Sequence, residues 1–421
     1  MKFRGFTKKQ LLDIYYKMVL SRRLDEKQLI LLKQGKGFFH IGCSGHEAAG
    51  MAAALSFDQS KDFAYPYYRD QAFCLGWGMT SRDHLLSFLA KENDPSSGGR
   101  QMPQHYGCKD LNIVSQSSPT GTQFLQATGA GFVLNRENNN AVVYVSSGEG
   151  TTSQGDFHEA LNWASRDKSP VIFHIENNKY AISVPIEDQT AGASVYKISA
   201  GYENLARFSV DGTNFFESHL AFKKAIDRAR KKKGPSIIES HVVRLLPHSS
   251  SDDQRKYRNS DELQEDMSKD PLLVFTDLCI SEGIIKKQEF NKINEKVAEE
   301  VDLDAEWAEM QPDPNPNDSM KNIYSSINVS TDDIDNNKNG NKIVLVDAIN
   351  HALSEELENN EKLLIFGQDV AGGKGGVFTA TRDLTDKYGE DRVFNSPLAE
   401  SSIIGTAIGM ATLGFKPIVE I

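Results

Sequence analysis

AVVYVSSGEG (residues 141–150), followed after a helix by VIFHIENN (171–178), decides the fold. The apolar run AVVYVSS (141–147) reads as a buried strand and the glycines as a loop. A helix then runs through Phe157 to Ser165, and VIFHI (171–175) is the next strand. This strand–loop–helix–strand order predicts an open α/β sheet, in which ligands bind beyond the carboxyl ends of the strands. Two neighbouring strand ends then deliver a carboxylate, Glu149, and an amide oxygen, Asn178, 29 positions apart. Hard oxygen donors suit Mg²⁺, which takes a near-octahedral oxygen shell shared with phosphates. Gly148 and Gly150 let the backbone approach a bulky anion. The expectation is a diphosphate held through a metal. The blander reading is a tight turn followed by an Asn-rich turn. The placing of both pieces at strand ends, with Tyr180 just beyond, argues against it.

The 421 residues suggest two or three domains. A hydrophobic content of 39% and a charged content of 25% are those of a globular chain. The net charge of −11 argues against a nucleic-acid or anionic-membrane partner, because both attract basic surfaces. Cys43, Cys74, Cys108 and Cys279 lack metal or redox spacing, so a cytoplasmic location is expected. The opening MKFRGFTKKQ is basic without the apolar core of a signal peptide. No stretch reaches the roughly 18 apolar residues of a membrane span.

Along the chain, Thr7 and Gln10 form a capping box before a helix with Leu11, Ile14, Tyr15 and Met18 at helical spacing. Gly35 and Gly37 end it. Short helices and glycine-rich loops fill 38–140. SIIESHVVRL (236–245) reads as a late strand, and RARKKKG (228–234) before it as a solvated helix end. Residues 261–310 read as acidic amphipathic helices. QPDPNPNDS (311–319) and STDDIDNNKNGN (330–341) bury too little apolar surface to offset chain ordering, so 311–342 is expected to be a flexible linker. A second α/β unit opens at Ile343, with a helix, the strand KLLIFGQDV (362–370), a small-residue helix in PLAESSIIGTAIGMATLG (397–414) and a final strand in KPIVEI. A sheet abandoned on its second core strand suggests a chain cut short.

GEG with ENN-x-YAIS resembles the diphosphate-binding motif of thiamine diphosphate enzymes, with Glu149 where Asp is usual. The form is similar to the α subunit of branched-chain 2-oxo acid dehydrogenases. GRQMPQHYGCKD (99–110), SSPTGTQ (117–123) and LLPHSSSDDQRKYR (245–258) resemble further segments of that subunit. Residues 343–421 resemble the opening of the family's β subunit, so α and β modules stand fused in one chain. The resemblance implies an α/β thiamine diphosphate-binding fold in two modules, the second incomplete. The modules are 1–310 for the diphosphate and 343–421 for the pyrimidine.

Residue by residue, the resemblance makes Glu149, Asn178 and the backbone oxygen of Tyr180 magnesium ligands. Tyr67, Tyr68 and Arg69 in PYYRD would meet the diphosphate, which a guanidinium fork suits. Gly148, Gly150 and Thr151 join them. Ser118 and Thr120 would contact the cofactor. Ser117, Pro119, Thr122 and Gln123 would wrap a potassium ion. His248 matches the family's acid–base histidine, and an ordinary pKa near 6.5 suits proton transfer. Pro247 stands where the family often has a second His. Ser249 matches a position phosphorylated in some relatives, without implying a kinase here. His40, in FFHIGCSGHEA, resembles the pyruvate-type subunit and has a core or capping role as its alternative. Glu400, in SPLAESSIIG, matches the glutamate that hydrogen-bonds the cofactor's aminopyrimidine ring; an apolar cleft would raise its pKa so that it shares a proton. Taken alone, an acidic first-turn residue is a dipole-favoured cap.

The implied reaction is oxidative decarboxylation of a 2-oxo acid, with the acyl group passing to a lipoyl group on a partner acyltransferase. Branched-chain acids are the first choice, then pyruvate and acetoin. A homo-oligomer is expected, because the two modules of such sites usually meet across an interface. A dinucleotide-binding dehydrogenase would need G-x-G-x-x-G, and Gln154 and Gly155 do not make that spacing after Gly148. A cofactor-binding fragment without turnover is the non-catalytic alternative.

Overall fold

Strands that are apolar on both sides need cover on both faces, and a parallel sheet flanked by helices provides it. The computed structural model describes residues 2–321, 323–324, 340 and 342–421. It divides into two compact units, Met1–Asp313 and Pro314–Ile421. The expected linker falls largely outside the described residues, which omit 322, 325–339 and 341. Before that gap, Pro316–Met320 forms a 3₁₀ turn.

In the first unit the elements used below are α1 (Lys8–Lys33), α2 (Glu47–Ala54), β1 (Phe63–Tyr65), α3 (Thr122–Arg136), β2 (Val143–Gly148), α4 (Gly155–Arg166), β3 (Val171–Asn177), β4 (Ala206–Asp211), α5 (Phe215–Arg230), β5 (Ser236–His241) and α6 (Lys287–Glu309). The five strands pair in parallel in the order β1-β2-β3-β5-β4. Strand β3 is buried throughout, and β2 is buried up to Gly148. Side chains alternate between the faces with the period of two. On one face Phe173 of β3 meets Phe124 of α3, which in turn meets Phe157 of α4. On the other, Tyr144 of β2 stacks on Phe73 at 4.0 Å, and His174 of β3 lies edge-on to Phe222 of α5.

Helix α1 opens on the expected capping box: Gln10 N–H donates to Thr7 Oγ1, and Thr7 N–H to Gln10 Oε1. It packs on α6, the longest of the acidic helices.

Two expectations change. The late strand stops at His241 rather than at 245. Beyond it the 42–45 loop runs alongside: Leu245 N–H donates to the Ser44 carbonyl at 3.2 Å, and a Cβ on Gly45 would lie 2.0 Å from the Val243 carbonyl oxygen. The basic run 228–234 is more than a solvated helix end. Arg230 forks onto the wholly buried Asp62, Nη2 to Oδ2 at 2.5 Å and Nη1 to Oδ1 at 3.1 Å. Arg228 Nη2 donates to the Asn204 carbonyl at 2.7 Å.

The second unit holds α7 (Leu345–Asn359), β6 (Leu363–Gly367), β7 (Val393–Asn395), α8 (Glu400–Thr412) and β8 (Lys416–Glu420). Its parallel sheet runs β7-β6-β8, with Leu357, Leu363, Ile365, Leu384 and Val393 forming a small core. Among the described residues no helix is long and apolar enough to cross a membrane.

Candidate active site

The carboxyl ends of β2 and β3 lie side by side, because Gly148 pairs with Glu176 in the parallel register. The chain leaves β2 through a 3₁₀ turn, Glu149–Ser153, which turns the Glu149 side chain into the first unit's interior. Asn178, just past β3, donates its backbone N–H to Glu149 Oε2 at 3.2 Å. The other carboxylate oxygen, Oε1, is buried with no hydrogen-bond partner. Burial pushes the Glu149 carboxyl above its ordinary value, with the Asn178 N–H and the Arg244 and Arg69 charges pulling the other way.

A cavity of about 330 Å³ opens at this point. Tyr67, Tyr68, Arg69, Thr120, Gly148, Glu149, Gly150, Thr151, Asn178, Tyr180 and His248 all line it. Ala181, Ile182 and Gln189 complete the lining; the first two stand in the quoted YAIS without having been singled out, and nothing in its sequence surroundings marks Gln189. Ala181 and Ile182 arrive with a tight hairpin in which Tyr180–Ala181 pairs with Val184–Pro185, and Gln189 ends the short helix Ile186–Gln189 that follows. Gly150 owes its lack of a side chain to that hairpin, since a Cβ there would meet Ala181 Cβ at 2.5 Å. Gly148 has ordinary room for a Cβ, so the expected close approach to an anion is not what its surroundings within the chain demand.

Arg69 is buried at the cavity wall. Its Nη1 donates to the Gly42 carbonyl, and its Nη2 donates at 3.1 Å to both His248 Nδ1 and the His248 carbonyl. A guanidinium only donates, so His248 Nδ1 accepts and the neutral ring carries its hydrogen on Nε2. Burial first, then Arg69 and Arg244, lower the His248 pKa to about 4. This corrects the expectation of a value near 6.5: at neutral pH His248 is an N–H donor and a weak base rather than an acid. Its loop is tied down at several points. His248 N–H donates to Asp252 Oδ2 at 2.8 Å, and Ser250 N–H donates to the His40 carbonyl at 2.8 Å.

Other predicted residues lie nearby or elsewhere. Ser118 is exposed, bonded to His105 Nε2 at 2.7 Å, and does not line the cavity. Ser117 Oγ, the Pro119 carbonyl and Thr122 Oγ1 converge on one another, as a cage of oxygen ligands requires. Gln123 turns away from them: its Oε1 accepts from Gly121 N–H at 3.0 Å and its Nε2 donates to the Ser146 carbonyl at 3.1 Å. His40 pairs with the buried Asp25 at 3.1 Å, which is the core role left open above. Glu400 belongs to the second unit, in the first turn of α8, where it accepts from Gln368 Nε2 at 3.2 Å. It is exposed rather than set in an apolar cleft. Its own backbone N–H at the helix start, then Gln368, hold its carboxyl below the ordinary value instead of above it.

Sequence reading passed over a buried polar network directly behind the cavity wall. Tyr67 Oη donates to Glu176 Oε2 at 2.8 Å, and His46 Nδ1 bonds the same oxygen. Asp70 accepts from Ser146 Oγ and Tyr144 Oη, and His174 bridges Tyr144 Oη and Ser240 Oγ at 2.9 Å each. Burial pushes Glu176 up to about 8 and Asp70 well above the carboxylate range. Glu176 stands in the quoted ENN, but its side chain is wholly buried, where Tyr67 and His46 hold it.

Residues 15–317 match the family model described as "Dehydrogenase E1 component", and residues 341–421 match "Transketolase, pyrimidine binding domain". The 2-oxoisovalerate dehydrogenase subunit alpha of Bacillus subtilis (strain 168) is 39% identical over 321 residues, 76% of this chain and 97% of that protein. The mitochondrial 2-oxoisovalerate dehydrogenase subunit alpha of Homo sapiens is 32% identical over 325 residues, 76% of this chain and 72% of that protein. The pyruvate dehydrogenase E1 component subunit alpha of Staphylococcus aureus (strain Mu50) is 33% identical over 298 residues, 70% of this chain and 77% of that protein.

The depressed pKa of His248 has a consequence for stability. Between about pH 6.5 and about 4 the unfolded chain binds a proton at this ring and the folded chain does not. The stabilisation is therefore fully present above about pH 6.5 and lost as pH falls towards 4. In urea denaturation the stability difference between the parent and His248→Gln should shrink, or change sign against the parent, across that window. A pH-independent difference would contradict the assignment.

Proposed function

We propose, on the premise that this chain belongs to the dehydrogenase E1 component family and is a thiamine diphosphate-dependent 2-oxo acid dehydrogenase component, that it decarboxylates a branched-chain 2-oxo acid such as 2-oxoisovalerate. The acyl group then passes to a lipoyl group on a partner acyltransferase. The observation that carries the reading is the buried, unpartnered Glu149 Oε1 at the ends of β2 and β3. A buried carboxylate oxygen that accepts no hydrogen bond is costly, and a hard divalent cation is the partner its chemistry suits.

The residues present fit the cofactor. Glu149, Asn178 and the Tyr180 backbone oxygen would hold Mg²⁺, and Arg69 would meet the phosphate charge that the metal leaves over. Tyr67, Tyr68, Thr120, Gly148, Gly150 and Thr151 would form further parts of the wall around the diphosphate. The convergent oxygens of Ser117, Pro119 and Thr122 would hold K⁺, with Gln123 completing the set after turning from Gly121. Thiamine diphosphate, when bound, supplies the electron sink for loss of CO₂.

Neutral His248, fixed by Arg69, presents an Nε2–H that can hold an oxygen of the acid. Ile182 and Val184 sit exposed on the hairpin that edges the cavity, ready to exclude water once a substrate covers them. We assign 1–310 to the diphosphate, 311–342 to a linker and 343–421 to the pyrimidine. Glu400 would meet the aminopyrimidine ring, and covering by apolar surface would raise its pKa from the exposed state. A homo-oligomer and a cytoplasmic location complete the proposal; the four cysteines are free thiols, the form a reducing compartment keeps. Pyruvate is the second substrate reading, supported by the staphylococcal relative's similar identity.

Glu149→Ala should weaken magnesium-dependent uptake of thiamine diphosphate by more than about a hundredfold in calorimetry. Tight binding by the variant would remove Glu149 as a ligand. His248→Ala should leave that uptake within about threefold while slowing acyl transfer to a lipoyl domain by about 10²-fold or more; unchanged transfer would take His248 out of the reaction. In a steady-state panel, kcat/KM should be higher for 2-oxoisovalerate than for pyruvate. The reverse order would assign the pyruvate type, and cofactor binding with no turnover of any acid would leave a binding fragment.

A further inference from the structure

The basic opening segment plays no part in the diphosphate site, yet it builds one wall of a second cavity. Residues Lys2–Phe3 pair with Phe6–Thr7 in a short antiparallel hairpin. Its turn holds Arg4 at φ 46° and Gly5 at φ 94°. Two successive left-handed residues are what a tight two-residue hairpin turn needs. The turn lays the Arg4 guanidinium 5.5 Å from the Phe3 ring centroid and 5.4 Å from that of Phe216, at the start of α5. Lys223 lies seven residues further along α5, and that spacing keeps it on the same helix face.

Between them is a cavity of about 650 Å³ lined by Arg4, Phe6, Ser56, Phe216, His219 and Lys223, among others. That volume lies within the range of small-molecule sites. It shares no lining residue with the diphosphate cavity.

The chemistry of the lining is one-sided. No carboxylate lines it. Neither Arg4 nor Lys223 has an ion-pair partner among the described residues, although acids outnumber bases 58 to 47 in the chain as a whole. Phe6 and Phe216 are held in an aromatic cluster with Phe215 and Phe275, so they offer a rigid apolar floor. His219 is fixed as well. Ser56 Oγ spends its hydrogen on the Ala52 carbonyl at 2.7 Å, so His219 Nδ1 must donate to Ser56 Oγ at 2.9 Å. Two unneutralised cations at the rim of an aromatic hollow attract an anion and give its body somewhere to pack.

We propose that this cavity binds a small organic anion, with a carboxylate or phosphate group between Arg4 and Lys223 and an aromatic or aliphatic body against Phe6 and Phe216. The probe is phenyl phosphate, titrated by calorimetry into the full chain, with benzyl alcohol as the uncharged ring of similar size. Arg4 and Lys223 are both exposed, so Arg4→Gln and Lys223→Gln should fold as the parent does. Phenyl phosphate should saturate, bind at least about tenfold more tightly than benzyl alcohol, and lose about tenfold in affinity with either substitution. Its affinity should also fall as salt is raised. Three results would overturn the proposal: no saturable binding of phenyl phosphate, equal binding of benzyl alcohol, or an affinity that neither substitution changes.

Discussion

A buried carboxylate with an oxygen that accepts no hydrogen bond is costly for a protein to hold. Glu149 is such a group: one oxygen takes an N–H from Asn178 and the other has no partner. The rest of the first unit can be understood as what keeps it there. The parallel register sets the ends of β2 and β3 level, the 3₁₀ turn after Gly148 points the side chain inward, and Gly150 lets the 180–185 hairpin pack against that turn. Arg69 and Arg244 supply positive potential, the former from a position fixed by Gly42 and His248.

The same positive potential explains the state of His248. A ring beside two guanidinium groups and largely out of water gives up its proton well before neutral pH. Behind the cavity wall the opposite holds for Glu176 and Asp70, where two carboxyls are buried together and burial favours their protonated forms. His46 and Tyr67 bond Glu176 Oε2, and Ser146 and Tyr144 donate to Asp70, while Glu176 Oε1 and His46 Nε2 have no hydrogen-bond partner among the described residues. Networks of this kind are costly when partly satisfied, and they fix one arrangement of the surrounding wall. Tyr67 belongs to both systems, with its ring on the cavity and its hydroxyl in the network.

The two units differ in how much they bury. The first covers both faces of a five-stranded sheet, and its helices add a second apolar layer through α1 and α6. The second has three strands and a core cluster of five buried side chains, with Leu345, Val377, Phe378 and Leu398 well exposed. Glu400 reflects this difference. A carboxylate at an open helix start is stabilised by backbone N–H groups and stays ionised, whereas the same residue under apolar cover would not.

Residues 141–178 by themselves determined the parallel α/β sheet, because unbroken apolar runs separated by a helix have few other ways to satisfy their backbone. The Thr7 capping box, the acidic helices after 260 and the strand–helix–strand order after 360 were equally legible, since each is a local pattern. Local motifs also named most of the residues that line the cavity at the ends of β2 and β3. Only the tertiary structure decided what those residues do to one another. Arg69 and His248 stand 179 positions apart, so their contact and the resulting neutral ring cannot be read along the chain. Gln189 reaches the cavity from the end of a short helix, Ile186–Gln189, and Arg230 finds Asp62 across 168 positions. Sequence pattern fixes backbone periodicity over a few residues, whereas protonation state, burial and pairing depend on which distant charges the fold brings within a few ångströms.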